Sequence, residues 1–429
     1  MKIGDINNMR IAFYTLGCKT NQYETQAMEQ LLKSSGYEIG SFEEKNDAYV
    51  INTCSVTAVS DKKSRQMIRR CRKLNENAVV AACGCYVQTH PEEAASLDID
   101  LVAGTGDRMA FLDLFEQAAG EKQPLTLLDD ALRRREFEIL PPGGLEERTR
   151  AMLKVQDGCV NFCAYCIIPK LRGRYRSREM ASLLEEARAL SDAGVKELIV
   201  IAQDITRYGT DLNGEHQLAK LLKELCKLDF HWIRLHYLYP TDTTDELIDV
   251  IASEPKIVKY LDIPIQHCND QILKAMNRRD TKAELLGLLK KLREKVPGLV
   301  LRTSLITGLP YEDDAAFEEL CDFLREVRIE RAGVFPFSPE DGTKAALMEH
   351  VDMEEAQRRA ELAVDVQSDI IDAYNGSILG EEREVLCEGY DPQAQMFYGR
   401  SYAESPDIDG RVWFTAEEEV PAGTFVSAR

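Results

Sequence analysis

No apolar run in this chain approaches the roughly 18 residues that a membrane-crossing helix needs. The first residues carry no apolar leader either, so the expectation is a cytoplasmic protein that makes no use of a membrane. Basic residues are outnumbered: 53 Lys and Arg face 73 Asp and Glu, for a formal charge of -20. That balance argues against a broad phosphate-binding surface, while leaving room for a local basic patch. Internal repeats and low-complexity tracts are absent. At 429 residues the chain has length for two or three domains with proper cores.

Cysteine is not scarce. Twelve would suggest disulfides in a short secreted protein. Here they fall in groups of three within a long α/β pattern, which points to metal in a reducing cytosol. The sharpest group is Cys159-Val160-Asn161-Phe162-Cys163-Ala164-Tyr165-Cys166, three thiols on one short segment. Soft thiolates suit iron, and a loop of this length can curl around three corners of an iron–sulfur cube. A closed cluster needs a fourth cysteine nearby, yet the next is Cys226. One iron is therefore left open to a chelating cofactor, which is the radical S-adenosylmethionine signature.

A second group is spread out. Cys18, Cys54 and Cys85 each follow a short apolar run: Ile11-Ala12-Phe13-Tyr14, Ala48-Tyr49-Val50-Ile51 and Ala78-Val79-Val80-Ala81-Ala82. Such runs, separated by helical patterns, read as parallel strands. Cysteines at one end of adjacent parallel strands would converge where such sheets carry their sites, which predicts a second three-cysteine cluster.

The pattern divides the chain into four stretches. Residues 9–118 read as an α/β unit with helices at 21–35, 58–75 and 108–118. Residues 119–150 read as a linker, with Arg133-Arg134-Arg135 on a solvated face rather than as a nucleic-acid contact. Residues 151–374 alternate strands (152–156, 197–203, 231–238, 259–265, 299–307, 332–338) with helices (180–193, 217–228, 243–253, 281–295, 313–328) and end in a long helical pattern at 352–374. Six such units predict a parallel sheet forming a partial (β/α)6 barrel, with Cys159–Cys166 on the loop after its first strand. Residues 375–429 read as a small β-barrel with eleven acidic residues, four arginines and no lysine.

Leu16-Gly17-Cys18, Asn52-Thr53-Cys54 and Gly84-Cys85-Tyr86, followed by the Cys159–Cys166 segment, resemble the radical S-adenosylmethionine methylthiotransferases over nearly the whole chain. The resemblance implies an N-terminal cluster domain, a radical S-adenosylmethionine barrel and a C-terminal TRAM domain. By its final residues, Thr424-Phe425-Val426 onward, the chain ends early for a complete TRAM barrel. Such enzymes insert a methylthio group into a C–H bond of a tRNA adenosine or of a ribosomal-protein aspartate. The subtype is mixed. Residues 9–168, with Thr15–Glu24 and Arg150–Cys159, look like the MtaB type, which acts on threonylcarbamoyladenosine in tRNA. From 170 onward, Lys170-Leu171-Arg172-Gly173, Ile201–Asp204, Tyr260–His267, Val334–Glu340 and Gly399–Tyr402 look like the RimO type, which acts on an aspartate of a basic small-subunit protein. A TRAM domain that grips RNA should be basic, so the acidic tail favours the basic ribosomal protein over tRNA as partner.

The resemblance further implies two [4Fe-4S] clusters and S-adenosyl-L-methionine. Cys159, Cys163 and Cys166 would hold the cluster at which the cofactor is cleaved to a 5′-deoxyadenosyl radical, with Tyr165 near its adenine. Cys18, Cys54 and Cys85 would hold the cluster that carries the sulfur to be methylated and delivered. An electron donor and a sulfur source are implied as well. Cys83 competes with Cys85 as ligand, and alignment to Gly-Cys-Tyr favours Cys85. Cys71, Cys226, Cys268, Cys321 and Cys387 read as core packing, and His267 as a hydrogen-bonded barrel residue. Tyr311 stands where the resemblance leads one to expect glycine, which puts a positive-φ turn there in doubt. Three other classes stay open: a zinc-holding structural protein, a non-catalytic iron–sulfur or TRAM-bearing RNA-binding protein, and a radical enzyme with a single cluster.

Overall fold

A computed structural model describes residues 9–121, 124–143 and 149–429. Parts of the expected linker, 122–123 and 144–148 with Gly144, lie outside the described residues. The chain divides into two compact units. The first combines the described residues of Met1–Gly144 with Gln156–Arg178 and Ser338–Ala346, and the second combines those of Leu145–Val155 with Glu179–Phe337 and Leu347–Arg429.

The first unit is built on a six-stranded parallel sheet. Its strands are β1 (Arg10–Thr15), β2 (Glu38–Gly40), β3 (Ala48–Thr53), β4 (Val79–Gly84), β5 (Leu101–Ala103) and β6 (Leu125–Leu127), in the order β2-β1-β3-β4-β5-β6. Its helices are α1 (Lys19–Ser34), α2 (Ala58–Leu74), α3 (Cys85–Thr89), α4 (Pro91–Ala95) and α5 (Phe111–Glu121). Every residue of β3 is buried, as expected for a central parallel strand covered on both faces. Alternate residues of the strands feed two cores. Ala12, Tyr49, Ile51, Val80 and Ala82 pack with Met67 and Ile68 of α2, whereas Ile11, Val50, Ala81 and Cys83 pack with Met28, Phe111 and Phe115 of α1 and α5. The expected linker contributes β6, which pairs in parallel with β5. Three residues are too few for a periodic signal, so this strand is specified by its neighbour rather than by its own pattern.

In the second unit, the parallel strands Arg150–Lys154, Glu197–Ile201, Trp232–Leu235, Ile257–Asp262, Val300–Thr307 and Arg331–Pro336 pair in chain order. The intervening helices, such as Met180–Asp192 and Lys282–Lys295, follow the expected spans to within a few residues, the latter started by a Thr281–Glu284 capping box. A continuous core of Leu, Ile and Val side chains fills the space between sheet and helices. The turn at Tyr311 does adopt positive φ (69°). Its side chain is 59% exposed, so the unfavourable backbone brings no clash. Buried Glu312 holds the turn, accepting from the Gly308 N–H at 2.7 Å and pairing with Arg359 at 3.0 Å and His267 at 3.2 Å. The tail forms a four-stranded antiparallel sheet in the order Val412–Phe414, Met396–Arg400, Arg383–Asp391, Phe425–Ala428.

Candidate cluster sites on the cysteine loops

Strands β1, β3 and β4 are neighbours, and each hands the chain to a cysteine at its C-terminal end. Cys18 is the N-cap of α1, Cys54 follows Thr53, and Cys85 opens α3. The crevice beyond the carboxyl ends of adjacent parallel strands is where open α/β sheets hold ligands. Glycine makes the convergence possible. A Cβ on Gly17 (φ +101°) would stand 3.0 Å from Cys54 Sγ, and one on Gly84 (φ +97°) would stand 2.6 Å from the Thr53 carbonyl oxygen. Both positions need backbone conformations that side chains resist. The cysteines lie within electrostatic reach: Cys18 helps raise the Cys54 thiol, and Cys18 and Cys54 help raise the Cys85 thiol.

Burial pushes the Cys54 thiol up, and it pushes Cys85 up to about 12, against the lowering pull of Arg172. Thiols this buried stay neutral until an ion displaces their protons, as metal binding to thiolate ligands requires. Cys83 points the other way. It is fully buried in the α1–α5 core, where burial raises its thiol to about 11. Strand alternation therefore separates Cys83 from the Cys18–Cys54–Cys85 group.

The segment Gln156–Arg178 carries the other triad. A short antiparallel ribbon, Gln156–Asp157 with Arg176–Ser177, closes its base. The Cys159 N–H donates to the Gly173 carbonyl at 3.1 Å, and the Cys166 N–H donates to the Cys163 carbonyl at 2.9 Å. Between them Phe162 adopts φ 47°, which lets the loop curl, and its ring is 44% exposed. All three cysteines are half-buried as residues, and so is Tyr165 beside Cys166. Behind the triad, Ile167 and Leu171 pack against Cys85, so both cysteine groups share one apolar contact.

Among the described residues, no three His, Cys, Asp or Glu side chains are grouped closely enough to hold a metal ion as they stand. The triads are thus soft donors on converging loops rather than closed chelates. Among the described residues, Cys83 packs in the opposite core, and three thiols without it fit a [4Fe-4S] cube with one open iron better than a four-ligand zinc site.

One feature of the site was missed by sequence reasoning. Arg172, with no exposed surface, donates from Nη1 to Glu24 Oε1 at 2.6 Å and to Asp157 Oδ1 at 3.1 Å. Its Nη2 donates to Asn21 Oδ1 at 2.8 Å and to Glu24 Oε2 at 3.2 Å. Burial disfavours its charge, but Glu24 and Asp157 outweigh that, and the guanidinium is held firmly charged. Each of these residues sits in a motif quoted above. Their pairing across about 150 positions leaves no periodic trace in the sequence.

Comparison with known proteins matches these parts one by one. Residues 10–104 match the profile of Uncharacterized protein family UPF0004, residues 153–324 that of the Radical SAM superfamily, and residues 379–429 that of the TRAM domain. Among solved structures, the radical S-adenosylmethionine methyltransferase TsrM from Kitasatospora setae superposes with TM-score 0.56 at 16% identity, covering 78% of this chain and 76% of that one. The cobalamin-dependent radical enzyme OxsB superposes with TM-score 0.53 at 12% identity, covering 85% and 56%. At such identities the likeness is one of fold, and the class is that of the radical S-adenosylmethionine proteins.

Full-length relatives narrow it. The ribosomal protein uS12 methylthiotransferase RimO of Desulforudis audaxviator is 39% identical, covering 98% of this chain and 94% of the relative. Those of Symbiobacterium thermophilum (40%; 98% and 88%) and Caldanaerobacter subterraneus (39%; 97% and 96%) align as extensively. The chain belongs to the RimO methylthiotransferase family and is a methylthiotransferase. The alignments run through both the 9–168 stretch and the remainder, on either side of the point where the motif resemblance changes type. No helix among the described residues is long and apolar enough to cross a membrane.

Proposed function

We propose that this methylthiotransferase modifies the β-carbon of an aspartate in a basic protein of the small ribosomal subunit, in the cytoplasm. The observation that carries this reading is the full-length similarity to relatives named for ribosomal protein uS12. Charge supports it. Glu417, Glu418 and Glu419 form an exposed acidic run in a tail whose net charge repels phosphate and attracts a basic polypeptide.

In this reading, residues 9–118 form the cluster domain, 151–374 the barrel and 375–429 the TRAM domain. Cys159, Cys163 and Cys166 hold one [4Fe-4S] cluster, and Cys18, Cys54 and Cys85 hold the other. Bound there with S-adenosyl-L-methionine, these groups supply reductive cleavage of the cofactor and a transferable sulfur. The chain's own residues do the rest. Phe162 and the ribbon beneath the loop set the curl that presents the three sulfurs, and Tyr165 lines the approach for adenine. Gly17 and Gly84 let three backbone loops close around the second donor set. An electron donor and a sulfur source complete the reaction from outside the chain.

The test is to reconstitute the protein anaerobically, add S-adenosylmethionine, sulfide and reductant, and offer unmodified tRNA and the ribosomal protein together. Mass spectrometry is expected to find the methylthio group on an aspartate peptide. A methylthiolated tRNA nucleoside instead would hand the choice of substrate to the MtaB-like motifs at 9–168 and overturn the proposal.

A further inference from the structure

If both triads serve one substrate, as the reading above has it, their spacing matters as much as their occupancy. Within the first unit, the Arg172 side chain hydrogen-bonds to both loop systems. It lies six residues past Cys166 and binds Asp157, two residues before Cys159, so it clamps both ends of that loop. The same guanidinium binds Asn21 and Glu24, three and six residues past Cys18. Asn21 carries the connection onward, donating from Nδ2 to the Leu16 carbonyl at 2.8 Å and to the Thr53 carbonyl at 3.0 Å, beside Cys18 and Cys54. Glu24 and Asp157 are in turn fixed by Arg108 at 3.5 Å and Arg176 at 3.3 Å.

We propose that Arg172 is a positioning residue that fixes the separation of the two cluster-bearing loops, and so couples cofactor cleavage at one to sulfur delivery from the other. This rests on the two-cluster reading above. A planar guanidinium with several rigid donors can hold Glu24, Asn21 and Asp157 at set angles, which a point-like ammonium cannot. Loss of the fork therefore leaves the charge in place but releases the spacing. A small displacement between reacting centres is costly, because a misplacement of about 1 Å loses on the order of a hundredfold in rate.

The experiment compares wild type with Arg172→Lys and with the milder Glu24→Gln, each reconstituted and each assayed for iron. The ratio of 5′-deoxyadenosine released to methylthio product formed is the first readout. The spin–spin interaction between the two reduced clusters, measured by electron paramagnetic resonance without substrate, is the second. With about eight irons kept per chain, Arg172→Lys is expected to raise the ratio about tenfold or more and to change the spin–spin interaction. Glu24→Gln is expected to change both in the same direction, and less. An unchanged ratio and an unchanged interaction would overturn the proposal. Loss of either cluster from Arg172→Lys would also overturn it, since Arg172 would then serve folding rather than spacing. If wild type itself makes no methylthio product, the substrate reading fails while the spectroscopic comparison still decides the role of Arg172.

Discussion

Each of the two units buries an ion-pair hub, and the two are made in opposite ways. In the first unit one arginine, Arg172, stands among two carboxylates and an amide. In the second, one carboxylate, Glu197, stands between two arginines, with Arg234 Nε and Arg400 Nη2 each at 2.6 Å. Burial raises the Glu197 carboxyl, but Arg400 and Arg234 more than reverse this and hold it well below the usual range. Buried pairs of this kind gain little over apolar packing, yet cost much when one partner is removed. What differs is the work each does. Glu197 joins the barrel sheet to the tail through Arg400, assisted by Arg150 to Glu388 at 2.6 Å and Tyr260 to Asp409 at 2.7 Å. That hub sits beside an extensive apolar core. Beside the Arg172 hub lies a small apolar cluster of Cys85, Ile167 and Leu171. Around the cysteine loops, the Arg172 bonds to Glu24, Asn21 and Asp157 supply ordering that side-chain packing supplies around Glu197.

The contrast can be broken most sharply at the thiols. Cys163→Ala is expected to abolish 5′-deoxyadenosine formation and to lower bound iron from about eight to about four per chain. Cys85→Ala should lower iron by the same amount but leave 5′-deoxyadenosine formation in place while methylthio product disappears. If Cys85→Ala instead stops both, the division of labour between the triads is wrong. On the second unit the loss is one of stability. Glu197→Gln leaves Arg234 and Arg400 undercompensated and should cost about 3–5 kcal/mol, read as a fall in the denaturant midpoint. The same group predicts a pH effect. Its carboxyl pKa is lowered on folding, so its contribution is complete above the unfolded value near about 4.3 and is lost as pH falls through the folded one. Acid unfolding followed by the intrinsic fluorescence of Trp232 and Trp413 should therefore begin below about pH 4, with a flatter acid limb in Glu197→Gln. The smallest effect belongs to Cys83→Ala, about 1 kcal/mol of lost packing with product formation retained.

Long elements were legible because they repeat. The alternation of strand and helix from 151 onward, the helices Met180–Asp192 and Lys282–Lys295, and the longer tail strands Arg383–Asp391 and Met396–Arg400 all carry enough residues to show a period. The three-residue strands Glu38–Gly40, Leu101–Ala103 and Leu125–Leu127 do not, and they form because a neighbouring edge offers hydrogen bonds. The cysteine groups were legible through spacing and through their place after apolar runs. The choice between Cys83 and Cys85 was open to a strand-parity argument, since one lies inside β4 and the other past Gly84. The turn at Tyr311 misled because residue type weakly predicts φ when the side chain is exposed and a buried glutamate holds the loop.

By itself, the sequence determined the fold class, the place of the cysteines after apolar runs and on one short loop, and the acidic character of the tail. These are written in local pattern and composition, which a chain carries whether folded or not. Only the tertiary structure decided which cysteine faces a core, which short strands exist, and that Glu24, Asn21, Asp157 and Arg172 meet. Those outcomes rest on contacts between residues far apart in the chain, and the energy of such contacts is set by burial and geometry that no local pattern encodes.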